Sequence, residues 1–258
     1  MTFDISNTNK GNMKTLNGKI ILVTGASRGI GAAIATRLAA AGATVVINYA
    51  GNKAAADHTV ATIQQDGGEA FALQGDVSKP EDVKRMFDTV IAQYGRMDVL
   101  VNNAGILLYK LLKDTTDEDF DRQFAINVKG TFNTMREAAT RLADNGTIIN
   151  FSSSTTRLML PTYGTYVATK GAVEQMTRVF AKEVGPRGIN VNVVSPGPTN
   201  TELFTNGKTQ EVIDRLASLS AFNRIGEPDD IAKVIAFLVS DDAKWISGQN
   251  IGTNGGMA

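Results

Sequence analysis

The chain has 258 residues, 26 basic and 26 acidic side chains, one histidine and no cysteine. That excludes disulfides, a cysteine nucleophile and thiolate metal sites, and leaves no site built on two imidazoles. A content of 43% hydrophobic and 20% charged residues belongs to a packed globular protein, and the balanced charge offers no surplus for nucleic acid.

Residues 1–18 are polar, lack the apolar segment of a secretory signal, and read as a flexible extension. No stretch is apolar for about 18 residues, so no membrane span is expected and the reading is a cytoplasmic protein. From residue 19 onward, strand-like and helix-like patterns alternate. β-Branched apolar runs at 19–23, 44–48, 70–74, 97–101, 147–151 and 190–194 suit strands buried on both faces. Between them, Ile30, Ile34 and Leu38 form one helical stripe, Val83, Phe87, Val90 and Ile91 a second, and Val173, Met176, Phe180 and Val184 a third. Ser78 to Glu81 predicts a capping box ahead of the second stripe. Strand–helix alternation with short connections predicts an α/β domain with a parallel sheet. No linker interrupts it, so 19–258 reads as a single domain.

The first strand runs into Thr24-Gly25-Ala26-Ser27-Arg28-Gly29-Ile30-Gly31 and then a helix. A glycine-rich turn between a strand and a helix N-terminus points backbone N–H groups at an anion, and the helix dipole favours it. Gly25 allows the tight turn, Gly29 the approach of a diphosphate, and Gly31 close packing of helix on strand. An acid at the end of the second strand would hold a ribose 2′-hydroxyl and repel a 2′-phosphate. Here the strand ends Asn48-Tyr49-Ala50-Gly51-Asn52-Lys53, with no acid, and Arg28 lies in the glycine loop. Two cations and no anion predict NADP(H) rather than NAD(H).

Of the five tyrosines, three have a lysine four residues on: Tyr49–Lys53, Tyr109–Lys113 and Tyr166–Lys170. At that spacing a helix puts both on one face. Only Tyr166 has a hydroxyl thirteen residues earlier just beyond a strand, Ser153. Ligands of open parallel sheets bind at that strand edge. His58 reads as a solvated helix residue and Trp245 as packing.

Thr24-Gly-x-x-x-Gly-Ile-Gly31, Asn102-Asn103-Ala104-Gly105, Asn127, Ser153, Tyr166-x-x-x-Lys170 and Pro196-Gly197 stand in the order and spacing of the short-chain dehydrogenases/reductases. The chain resembles that family from about Gly18 onward, most closely its 3-oxoacyl-carrier-protein reductase-like and carbonyl reductase branch. The resemblance implies a single Rossmann-type, doubly wound domain with a seven-stranded parallel sheet, assembled as a homotetramer. It implies Tyr166 as proton donor in ketone reduction, Lys170 favouring the phenolate and binding the nicotinamide ribose, and Ser153 as donor to the substrate carbonyl. Asn127 would hold a water that relays protons to Lys170. The implied cofactor contacts are Gly25, Ser27, Arg28, Gly29, Ile30 and Gly31 in the loop, and Asn48, Tyr49, Ala50 and Lys53 after the second strand. Further along come Asp76 and Val77 beside adenine, Asn102, Asn103, Ala104 and Gly105 after the fourth strand, Tyr166 and Lys170 themselves, then Pro196, Gly197, Thr199 and Thr201.

Two segments, 154–165 and 199–224, are expected to wall the substrate pocket, the second as a lid. They contain Ser154, Leu158, Met159, Leu160, Tyr163, Leu203, Phe204, Leu219 and Phe222, with Pro198 just ahead of the second, which suggests a small to medium ketone with an apolar substituent. A 3-oxoacyl-[acyl-carrier-protein] reductase is the alternative. It is weakened by Asp144-Asn145-Gly146, acidic at one place where the resemblance puts a basic docking residue, although Arg187 retains a cation at the other. A noncatalytic dinucleotide-binding regulator is a minor alternative, opposed by the intact Ser153, Tyr166, Lys170 and Asn127.

Overall fold

Seven strands form one all-parallel sheet in the computed structural model, which describes residues 15–258. They are β1 (Ile20–Val23), β2 (Thr44–Tyr49), β3 (Glu69–Gln74), β4 (Val99–Asn102), β5 (Thr147–Phe151), β6 (Asn190–Pro196) and β7 (Asn250–Thr253). Their order across the sheet is β3-β2-β1-β4-β5-β6-β7. The direction of winding reverses between β1 and β4, and the carboxyl ends of the strands open a crevice there.

The helices are α1 (Gly29–Ala40), α2 (Lys53–Gln65), α3 (Pro80–Tyr94), α4 (Asp117–Phe124), α5 (Gly130–Arg141), α6 (Thr155–Leu158), α7 (Gly164–Val184), α8 (Glu202–Thr205), α9 (Gln210–Ala217) and α10 (Pro228–Leu238). Alternate residues of each strand feed two separate core layers. Ile21, Val23, Val45, Ile47 and Ile149 pack with Ile34 and Leu38 of α1, Ile63 of α2 and Ile231 and Ile235 of α10. Ile20, Leu22, Val46, Leu100 and Ile148 pack with Val83, Phe87 and Val90 of α3, Met135 of α5 and Phe180 and Val184 of α7. Period-two alternation in the strands thus explains why their sequences read as continuous apolar runs.

Three sequence expectations need correction. Leu16 is 1% exposed and its N–H donates to the Ala41 carbonyl at 3.0 Å, so the folded body takes in part of the segment assigned to a 1–18 extension. Residues 1–14 lie outside the described residues. The capping box at Ser78 does not form. Ser78 gives both its N–H and its hydroxyl to Asp76 Oδ1, at 2.9 and 2.7 Å, and α3 begins after Lys79 with Pro80 in its first turn. Proline has no N–H to satisfy there. The sixth run, expected to end at 194, extends to Pro196, because Ser195 and Pro196 pair with Gly252 and Thr253 of β7.

Candidate active site

The loop after β1 is held from behind by side chains. Thr24 Oγ1 donates to the Val101 carbonyl at 3.3 Å and accepts the Ala104 N–H at 3.0 Å. Asn103 Nδ2 donates to the carbonyls of Thr24 and Gly25, both at 3.0 Å. Asn48, 1% exposed, donates to the Gly75 carbonyl at 3.0 Å and accepts the Gly25 N–H at 3.3 Å. Gly25 and Gly29 adopt φ of 61° and 57°, a region that favours glycine. A Cβ on Gly31 would stand 2.5 Å from Asn103 Nδ2 and from the Gly25 carbonyl oxygen. No side chain caps the start of α1, so its first N–H groups are free to meet an anion. The groove above them is lined by Ser27, Arg28, Ile30, Ala50, Asp76 and Val77, and continues past Asn103, Ala104 and Gly105 to Thr201.

Tyr166 and Lys170 share one face of α7. Lys170 is 5% exposed and its Nζ donates to the Phe151 carbonyl at 2.9 Å, at the carboxyl end of β5. Burial lowers its pKa to about 8. Burial also drives the Tyr166 pKa up, to about 12, against the downward pull of a hydrogen bond from Ser153; the nearby Tyr163 adds a smaller upward push. The ammonium lies 5.6 Å from the Tyr166 ring centroid. Ser153 Oγ accepts from the Thr155 N–H at 3.3 Å and from the Thr155 hydroxyl at 2.9 Å. On either side of it, the hydroxyls of Ser152 and Thr156 reach Glu174 Oε1 at 2.6 and 2.9 Å. Glu174 follows Lys170 by one turn of α7, so the helix carrying the tyrosine and lysine also grips the serine loop.

Asn127 sits in a single π-helical turn, Ala125–Lys129, between α4 and α5. Such turns widen a helix by one residue and recur at functional sites. The side chain is 1% exposed; its amide donates to the Ile106 carbonyl at 2.9 Å and Thr169 Oγ1 at 3.1 Å, and its oxygen accepts the Ile106 N–H at 2.8 Å. Both amide hydrogens are thereby committed, and the residue braces the segment after β4 against α7. A Cβ on Gly105 would lie 3.2 Å from Asn127 Oδ1 and 3.6 Å from Lys170 Nζ.

A second, mainly apolar cavity opens beside this group. Ser154, Leu158, Leu160, Tyr163, Pro198, Leu203 and Phe204 line it, as do Pro196, Gly197 and Thr199. So do Ile106, Leu107, Tyr109 and Leu216, none of which the sequence placed in the pocket. The Tyr109 and Tyr163 rings meet edge to face at 5.0 Å, and Tyr163 lies 6.3 Å from Tyr166. Lys208 donates to the Tyr109 hydroxyl at 2.6 Å and sits 4.1 Å from its ring centroid, tying the 199–224 segment to the loop after β4. Ile30, Asn103, Gly105, Ile106, Thr201 and Leu203 belong to both cavities, so the groove and the pocket are continuous.

A family model described as enoyl-(acyl carrier protein) reductase matches residues 25–258. Elsinochrome reductase 1 of Elsinoe fawcettii is 44% identical over 93% of this chain and 94% of its own length. Versicolorin reductase of Emericella nidulans is 42% identical over 93% and 96%. The chain belongs to the short-chain dehydrogenase/reductase family. Among solved members, an angucycline C-6 ketoreductase with bound NADP superposes with a TM-score of 0.89 at 41% identity, covering 94% of this chain and 96% of that one.

Within this short-chain dehydrogenase/reductase, not every predicted site residue reaches the site. Tyr49 points into the core and is 6% exposed, because the alternation along β2 sends it to the layer of Ile47 and Val45. Lys53 opens α2 and pairs with Asp57 one turn on, at 2.7 Å, away from the groove. Arg28 does line the groove and pairs with Glu202 of α8 at 2.8 Å. In the second segment, Leu219 and Phe222 are exposed and lie outside the substrate cavity, as does Met159, 76% exposed. Trp245 is fully exposed rather than packed. Arg187 is neutralised by Asp144 at 2.7 Å and donates to the carbonyls of Ala139 and Leu142. Among the described residues no helix is long and apolar enough to cross a membrane, and no cluster of acidic or histidine side chains could hold a metal.

Proposed function

We propose that this protein is an NADPH-dependent carbonyl reductase that converts a ketone on a flat, apolar framework to a secondary alcohol. The observation that carries the reading is the junction of the two cavities. A groove suited to a dinucleotide meets an apolar pocket where Ser153, Tyr166 and Lys170 converge. Tyr109 and Tyr163, in edge-to-face contact, form one aromatic corner of the pocket against which a planar ring system can pack. The names of the relatives, reductases of elsinochrome and versicolorin and an angucycline ketoreductase, support the same substrate class.

The cofactor fits the groove. The uncapped N-terminus of α1 and the glycine turn offer N–H groups to a diphosphate, and a Cβ on Gly25 would collide with Ala104 Cα at 2.9 Å, so the turn packs directly on the segment after β4 that continues the groove. Arg28, with no acid at the end of β2, favours a 2′-phosphate. Bound NADPH supplies the hydride. Ser153 donates a hydrogen bond to the substrate carbonyl oxygen and stabilises the charge that develops there. Tyr166 gives its phenolic proton to that oxygen. Lys170, fixed by the Phe151 carbonyl, places a positive charge beside the phenol and lowers the cost of the phenolate that proton transfer leaves behind. Asn127 keeps the Ile106 segment and α7 in register.

A carrier-protein role would need a free cation at the docking edge, and Arg187 is occupied by Asp144. The reading extends to a lid over 199–224 and to a cytoplasmic homotetramer. Large exposed apolar groups, Phe120, Phe132 and Trp245, support assembly. The test is NADPH oxidation, followed by absorbance, with bicyclic aromatic ketones, aryl alkyl ketones, β-keto esters, and acetoacetyl and enoyl thioesters. Ring ketones should be turned over fastest. Faster turnover of either thioester would overturn the substrate class, and no turnover of any would overturn the reductase.

A further inference from the structure

We propose that Thr155 is a positioning residue that fixes Ser153 as a hydrogen-bond donor toward the substrate, a role that rests on the reading of Ser153 given above. A serine hydroxyl has one hydrogen and two lone pairs, and it rotates to suit its neighbours. An unconstrained serine can therefore present a lone pair to a carbonyl oxygen, which repels it. Here both lone pairs of Ser153 are occupied by one residue. The Thr155 N–H, which can only donate, lies 3.3 Å from Ser153 Oγ, and the Thr155 hydroxyl lies at 2.9 Å. The direction of the second bond follows from accounting. Thr155 is 9% exposed, and among the described residues its hydroxyl has no other partner than Ser153. If Ser153 were the donor, the hydrogen of Thr155, which also lines the cavity, would have no protein acceptor. With Thr155 donating, the hydrogen of Ser153 is left one direction, into the cavity, where it faces the Tyr166 hydroxyl and the place of a substrate carbonyl oxygen.

The arrangement holds because the turn around it is rigid. The Thr156 N–H donates to the Ser153 carbonyl at 3.2 Å and the Arg157 N–H to that of Ser154 at 3.0 Å. Glu174 takes the hydroxyls of Ser152 and Thr156, both outside the pair. A donor aimed before the substrate arrives needs no reorganisation as charge develops, which is where such groups gain their effect.

A double-mutant cycle in the full-length protein tests this, with NADPH oxidation on the best ketone of the panel as readout and NADPH affinity and thermal midpoint as controls. Thr155→Val keeps the shape and removes the hydroxyl, and should lower kcat roughly tenfold, a fraction of the 10²–10³ expected for deleting an oxyanion donor outright. Thr155→Ser should restore turnover, and the NADPH affinity should not move. In the Ser153→Ala background, Thr155→Val should change nothing further. A loss of equal size in that background would mean a merely structural role and would overturn the proposal. So would a Thr155→Val enzyme as fast as the parent while Ser153→Ala is slow, or a Thr155→Ser enzyme as slow as the valine. If Ser153→Ala itself turns over normally, the assignment of Ser153 fails and the proposal falls with it. Thr155→Ala enters the same cycle if the valine variant does not fold.

Discussion

Two ionisable groups on α7 are moved in opposite directions by the same dry surroundings. Lys170 loses affinity for its proton and Tyr166 holds its own more tightly, with pKa values near 8 and 12. The sign of the pH dependence follows. Reduction needs a protonated phenol and a charged ammonium, and both exist below about pH 8. The kcat/KM for reduction should be level there and fall as pH rises through about 8, while Lys170→Arg, whose charge persists, should remove that fall even if it slows the enzyme. Tyr166→Phe should cost about 10²–10⁴ in kcat, the usual contribution of a positioned acid, with NADPH binding by fluorescence titration nearly unchanged. This pair was legible in the sequence because Ser153 stood behind it at the end of a strand. Tyr109 was not, although it faces the same cavity. Its lysine at four residues suggested a helical pair, but it lies ahead of the 3₁₀ turn Leu112–Asp114, in a connection with no period to read.

At the scale of elements, the cofactor groove is made by turns whose residues announce themselves, and the substrate pocket by segments whose residues do not. Each glycine of the strand–turn–helix unit meets a backbone need: Gly25 and Gly29 take positive φ, and Gly31 has no room for a Cβ. A leucine in a connection can face inward or outward. Leu216 lines the cavity while Leu219, three residues on, is exposed, and only the way α9 lies decides between them. Lys53 and Arg28 are both paired, with Asp57 one turn on in α2 and with Glu202, and of the two only Arg28 lines the groove. On the proposed function, Arg28 carries the preference between cofactors. Arg28→Ala should weaken NADPH by about 10–100-fold and NADH far less, as loss of a charge-assisted contact would. Glu202→Gln removes the competitor for that guanidinium and should tighten NADPH, by no more than about fivefold because the pair is exposed. Isothermal titration with both cofactors reads the two effects separately.

For the whole molecule, the sheet fixes what the sequence could promise. Alternating runs and short connections predict parallel strands, and all seven are parallel, with the winding reversed beside β1 and β4. The limits of the runs were less certain, because a strand stops where its partner's ladder stops, as Pro196 does against Thr253. NADPH would bind across the carboxyl edge and touch loops from several strands, so it should stabilise the fold as a unit. At a hundred times its Kd, binding is worth about 2.7 kcal/mol, and the thermal midpoint should rise by about 5–10 °C, with little change for NADH at the same concentration. The seven strands contribute little to the walls of the substrate cavity. Ile106, Leu107 and Tyr109 follow β4, Leu158, Leu160 and Tyr163 lie between β5 and α7, and Leu203, Phe204 and Leu216 belong to the stretch between β6 and α10. Each is a connection whose two ends are anchored in the sheet or a long helix. Such pieces can diverge, lengthen or be exchanged between relatives as cassettes while the proton donor and the dinucleotide floor stay in place, so new substrates are open to this scaffold without reinventing its chemistry.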